Sequence, residues 1–94
     1  MPSRHHATLV IAHLLEKNES LSVAESITAG GLGHALTTAA GASQVFRGGV
    51  IAYSNEVKEK LLNISPSLIA EHGVVSEEVA NAMADAAREN GLSF

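Results

Sequence analysis

Cysteine is absent from this chain of 94 residues, and aromatic side chains make up only 3% of it. Without cysteine there are no disulfides and no thiolate metal sites, a composition that fits a reducing, cytoplasmic setting. Hydrophobic residues reach 46%, so with few aromatics the buried surface must come from alanine and the aliphatic side chains. Excess basic charge is also missing: the formal net charge is −4, the signs are interleaved, and no basic cluster follows Arg4-His5-His6. That balance argues against a nucleic-acid platform. Long apolar runs are lacking too. The first residues are polar, unlike a signal peptide, the run after them is broken by His13 and Glu16, and nothing approaches the roughly 20 apolar residues that span a bilayer. What this leaves is one soluble cytoplasmic domain over residues 1–94, which buries roughly 60–65% of its unfolded surface.

Periodicity divides the chain into short elements. Apolar residues at Leu9, Val10, Leu14 and Leu15 predict a helix over Ala7 to Lys17, ended by Asn18-Glu19-Ser20. Leu21 to Ala24 reads as a short strand, Thr28 to Thr38 as a helix, and Gly41-Ala42-Ser43 as a loop. Val45 to Tyr53 is the best strand candidate, and Gly48-Gly49 inside it predicts a bulge or a close backbone approach. Asn55 is placed to cap a helix running to Leu62, and Ser65-Pro66 opens another to Glu71. Ser76-Glu77-Glu78 starts a last helix with the stripe Val79, Ala82, Met83, Ala86 and Ala87, stopped by Asn90-Gly91. Two strands among four to five helices make a layered α/β/α domain with an incomplete sheet, the front half of a larger fold.

The chemistry concentrates in two segments. Ala24-Glu25-Ser26-Ile27-Thr28-Ala29-Gly30-Gly31 puts a hydroxyl just before a helix, where free N–H groups and the macrodipole favour an oxyanion. Thr28, Gly30 and Gly31 add small residues that let a substrate approach the backbone. The plainer alternative is that Ser26 or Thr28 only caps the helix. Ala52-Tyr53-Ser54-Asn55-Glu56-Val57-Lys58 offers a phenol and an amine. In the first turn of its helix Lys58 is badly placed for a cation, which favours the neutral amine that a general base needs. Its alternative is a solvated surface lysine beside Glu59 and Lys60, and that of Tyr53 is a half-buried ring with a wet hydroxyl. Hydroxyl plus amine is one way to build a hydrolase without histidine.

The remaining features are less specific. The histidines form no ligand set: His5-His6 fall in a flexible start, His13 edges a helix, His34 lies on an alanine-rich helix, and His72 precedes a turn glycine. Neither glycine pair forms a dinucleotide fingerprint or a P-loop. No metal and no cofactor is implied.

Three ordered stretches carry a family resemblance: Ala24 to Gly31, Gly41 to Leu62, and His72-Gly73-Val74-Val75-Ser76-Glu77-Glu78-Val79-Ala80-Asn81-Ala82-Met83-Ala84. Over roughly Ala7 to Arg88 the chain resembles the CinA C-terminal domain family, some members of which are nicotinamide-nucleotide amidases. The resemblance implies a Ser/Lys hydrolase that converts nicotinamide mononucleotide to nicotinate mononucleotide and ammonia. It implies Ser26 as nucleophile, Lys58 as general base and Tyr53 in support of the pair or the substrate. The chain departs from the family in two ways. Where the family often has S-[C/S]-T-G-G, this chain has Ile27 and Ala29, and Ala29 fits if it is helical. The family domain also continues with a V-T-G-x-A-G-P segment and further strands, supplying a threonine and an arginine to the site, beyond the span of these 94 residues. The expectation is therefore an amidase acting on a small-molecule nucleotide, working as a homo-oligomer and binding neither nucleic acid nor membrane. The alternative is an inactive, shortened paralogue that self-associates or binds a partner.

Overall fold

The computed structural model describes residues 4–89, so the Asn90-Gly91 stop signal lies outside the described residues. The chain opens with α1 (Arg4–Lys17). His5 and His6 thus lie in a helical first turn and not in a flexible start, because nothing in the sequence breaks the helix ahead of Ala7. The buried stripe also differs from the predicted one. Ala7 and Ile11 are fully buried and Leu14 packs against them, while Leu9 and Val10 are exposed. Small Ala7 lets α1 approach the helices beside it, and its i, i+4 partner Ile11 then sets the face. Asn18, at φ 56, ends the helix in a left-handed turn that asparagine tolerates.

Strand β1 (Leu21–Glu25) follows, one residue longer than predicted. A five-residue turn then leads to α2 (Gly31–Thr37), which starts three residues later than predicted. The cause is backbone geometry: Ala29 at φ 49 and Gly30 at φ 100 are both left-handed and cannot be helical. The expectation that Ala29 is helical is therefore corrected. Gly41, at φ 84, precedes a one-turn helix α3 (Ala42–Val45) where a loop was predicted. Ala42 and Val45 are buried there, so packing overrides the loop-like Gly-Ala-Ser composition.

With Val45 in that helix, β2 is shorter than predicted (Phe46–Ile51) and pairs parallel to β1 in a two-stranded sheet. Both roles offered for Gly48-Gly49 occur. The register shifts between Leu21 and Ser22, with Gly48 at φ 144 on the irregular side. A Cβ on Gly49 would stand 2.5 Å from Val23 Cγ2 and 2.6 Å from the Val23 carbonyl, so only glycine lets the strands close. The bulge has a further effect. Phe46 and Val50 have the same parity along the strand yet pack into opposite cores.

The chain continues through α4 (Asn55–Leu62), α5 (Pro66–His72) and α6 (Glu77–Ala87). Ser54, not Asn55, caps α4: its hydroxyl accepts from Val57 N at 3.1 Å. Ser76 caps α6 as predicted, accepting from Val79 N at 3.2 Å. Six helices, one more than the upper estimate, thus accompany the two strands among the described residues. The architecture is α/β/α. One core joins α1, α2 and α3 to Leu21, Val23 and Phe46; the other joins α4, α5 and α6 to Ala24, Val50 and Ala52. Of the predicted α6 stripe, Val79, Met83, Ala86 and Ala87 are buried and Ala82 half-buried. None of the described helices is long and apolar enough to cross a membrane.

Candidate active site

Parallel neighbouring strands deliver the residues after them to the same edge of the sheet. Glu25 pairs with Ile51, and the Ala52 N–H donates to the Glu25 carbonyl at 2.7 Å, so both strands stop together. The segments after them carry Ser26 on one side and Tyr53 to Lys58 on the other. Both line a single cavity of about 480 Å³ at the carboxyl ends of the strands, closed on its far side by α6 residues Val79, Ala80 and Met83. This is where open α/β sheets bind ligands. Ser26 and Lys58, far apart in sequence, are thereby brought to one cavity; Tyr53 and Thr28 also line it.

Lys58 has an unusual environment. It is 1% exposed, and its Nζ donates to the Tyr53 carbonyl at 2.9 Å. Among the described residues it pairs with no carboxylate. Two residues on, Lys60 shows the surface behaviour that Lys58 lacks, with a 2.7 Å bond to Glu56 and both side chains more than 70% exposed. The surface-lysine alternative is thus excluded. Lys58 sits four residues after the cap Ser54, whose carbonyl accepts the Lys58 backbone N–H at 3.1 Å. A buried amine with one carbonyl partner and no counter-charge is a costly arrangement for the fold.

Ser26 is half-buried and among the described residues its hydroxyl makes no hydrogen bond. The cap-only alternative also fails, because the N-cap of α2 is Gly30, with no side-chain cap bond. The groups expected to receive an oxyanion are already engaged, however. Glu25 Oε1 accepts from Thr28 Oγ1 at 2.7 Å, Gly30 N at 3.2 Å and Leu32 N at 2.8 Å, and Oε2 accepts from Gly33 N at 3.0 Å. Gly31 N donates to the Thr28 carbonyl at 2.9 Å. The expectation that the first-turn N–H groups lie open to a substrate is therefore corrected: an internal carboxylate occupies them. Gly30 and Gly31 do not line the cavity. Tyr53 meets Lys58 through its main-chain carbonyl, and the residue, 67% exposed, lines the cavity.

Glu25 is the residue that sequence reasoning passed over. Burial acts to raise its pKa, but the Thr28 hydroxyl and the Gly33, Leu32 and Gly30 N–H groups together outweigh it and hold the carboxyl below the ordinary carboxylate range. A signal for it exists: an acid ends a strand just before a Gly-rich helix start, where the positive end of a helix attracts a carboxylate.

The CinA C-terminal domain family model matches residues 3–93. A CinA-like protein of Parasynechococcus marenigrum is 54% identical over 83 residues, covering 88% of this chain and 20% of the relative. One of Prochlorococcus marinus is 51% identical over 83 residues, with 88% and 19% covered. Among solved structures, a competence-damaged protein (CinA) superfamily protein from Klebsiella pneumoniae superposes with a TM-score of 0.90 at 27% identity, over 99% of this chain and 58% of that one. The competence/damage inducible protein from Agrobacterium tumefaciens gives 0.87 at 31% identity, over 96% and 53%. The chain spans about a fifth of the length of these curated relatives and a little over half of these solved chains.

Proposed function

Since the chain belongs to the CinA C-terminal domain family, we propose that it is an amidohydrolase module that releases ammonia from nicotinamide mononucleotide by a Ser/Lys mechanism. The observation that carries this reading is the buried, carboxylate-free Lys58 facing the same cavity as the unengaged Ser26 hydroxyl. In the reaction, Ser26 Oγ attacks the carboxamide carbon while the neutral Lys58 amine takes its proton. The amine returns that proton to the departing nitrogen, which leaves as ammonia. Water then attacks the acyl-serine ester, again giving its proton to Lys58. As the ester C–O bond breaks, Lys58 passes that proton to Ser26 Oγ, so the acid is released and the serine and amine are restored. Such chemistry requires neither metal nor cofactor.

The test is ammonia release from nicotinamide mononucleotide by the purified chain, with Ser26→Ala as control. Turnover that disappears in the variant is the expected result; undiminished turnover would sink the dyad. A second reading, a self-associating or partner-binding module without activity, is favoured by one observation. Ile27, Tyr53 and Val75, which line the cavity, are 84%, 67% and 93% exposed, an apolar rim of the kind that marks interaction sites. A folded, inactive sample that sediments as a dimer or larger would favour that module, which we propose to be a homo-oligomer in either case.

A further inference from the structure

The loop that carries Ser26 is gripped from both sides by one residue. The main chain of Glu25 is tied into the sheet through the bond from Ala52 N. Its side chain, 4% exposed, turns over the following residues to accept from the Thr28 hydroxyl and the Gly30, Leu32 and Gly33 N–H groups. Ser26 and Ile27 are enclosed between those two anchors. A helix start needs less than this, since a serine or aspartate at the cap position satisfies its first N–H groups without burying a charge on a strand. What the arrangement adds is a fixed course for residues 26–30, including Ala29 in a conformation that L side chains rarely adopt. Such strain persists where neighbouring bonds over-determine the backbone.

We propose that Glu25 is the positioning residue of the site: its carboxylate holds the Ser26 loop against the cavity. The proposal rests on the reading of Ser26 as the nucleophile. Two variants of the full chain test it. Glu25→Gln keeps the shape but sets an amide NH₂ against either the Gly33 N–H or the donors of Oε1, so part of the grip is lost. Gly33→Ala leaves Glu25 in place and introduces the better helix former. Its Cβ would stand 3.3 Å from Glu25 Oε2 and 3.4 Å from Phe46 Cζ, pushing the carboxylate by a few tenths of an ångström while the helix remains.

The measurements are backbone amide exchange at Ala29 and Gly31, against the α6 amides as a gauge of global stability, together with kcat and KM for nicotinamide mononucleotide. In Glu25→Gln we expect faster exchange confined to the loop, with kcat down about tenfold or more and KM changed less than about twofold. In Gly33→Ala we expect a smaller fall in kcat with no loss of α6 protection. Unchanged loop exchange in Glu25→Gln would overturn the proposal. So would a Gly33→Ala chain with full kcat beside a Glu25→Gln chain whose loop and α6 protection fall together, since Glu25 would then be structural only. A loosened loop in a chain whose parent has no turnover would uphold the carboxylate's grip on the loop but overturn its role in positioning a nucleophile, together with the amidase reading.

Discussion

Glu25 at the end of β1 and Lys58 near the start of α4 are the charged residues buried among those described, at 4% and 1% exposure, and both line the same cavity. Their surroundings differ in kind. Every oxygen of the acid is engaged, with three N–H groups and a hydroxyl in place. The amine has one carbonyl. A buried charge with its hydrogen bonds satisfied contributes to one defined conformation; a buried charge left short of partners costs stability and is retained where chemistry needs it. The acid corner is tied down by four hydrogen bonds, and the amine corner by one.

The largest expected effect breaks the comparison at the amine. Lys58→Met keeps the length of the side chain and removes the charge. Ammonia release should fall by about a thousandfold or more, as when a nucleophile loses its base. The thermal midpoint should stay level or rise, because replacing a buried polar group that has a single hydrogen bond by an apolar group of similar shape is often neutral or stabilising. Thermal unfolding followed by circular dichroism checks the second half. A marked drop in midpoint would show that Lys58 holds the fold and that the two corners do not differ in kind.

The next effect is on the acid. Glu25→Ala orphans three backbone N–H groups and empties the volume of a buried side chain, a loss of about 3 kcal/mol in denaturant unfolding. The pH dependence has a definite sign. The folded carboxyl titrates below its ordinary value of 4.5, so the unfolded chain binds more protons there. The contribution of Glu25 is present above about pH 4.5 and is lost as pH falls through the lower, folded value. Between those limits the parent should lose stability more steeply than Glu25→Gln, which has nothing to titrate. Equal slopes would mean that the Glu25 carboxyl titrates alike in the folded and unfolded chain.

The amine corner was more legible in the sequence than the acid corner, for a physical reason. Lys58 shows itself by residue type and spacing, because a cation in a first turn opposes the helix dipole. Ser26 likewise sits at a strand-to-helix junction, and the turn residues and alternation around both predict the strands and most helices. Glu25 carries a weaker signal, an acid ahead of a Gly-rich helix start. Its partners lie three to eight residues ahead, and they become donors only when Ala29 and Gly30 turn left-handed, which delays α2 to Gly31. The buried stripe of α1 differs from the predicted one for a related reason: Leu9 and Val10 outrank Ala7 in hydropathy, but the choice of buried face depends on the helices that α1 packs against. Neither the loop nor the packing partner is a local property.

The smallest expected effect sharpens the comparison within the acid corner. Ala29 at φ 49 has a Cβ where the left-handed region crowds it, at a cost of about 1 kcal/mol. Glycine has no such penalty, although it loses more freedom on folding, so Ala29→Gly should stabilise the chain by about 0.5 kcal/mol. The gain reports strain that the Glu25 grip is holding. If so, it should shrink in a Glu25→Ala background, where the freed loop relaxes and Ala29 is no longer forced left-handed. A double-mutant cycle read from denaturant midpoints measures the difference. Equal gains in both backgrounds would mean that the loop keeps its course without the carboxylate, and that the stillness of the acid corner comes from Gly30 and the sheet instead.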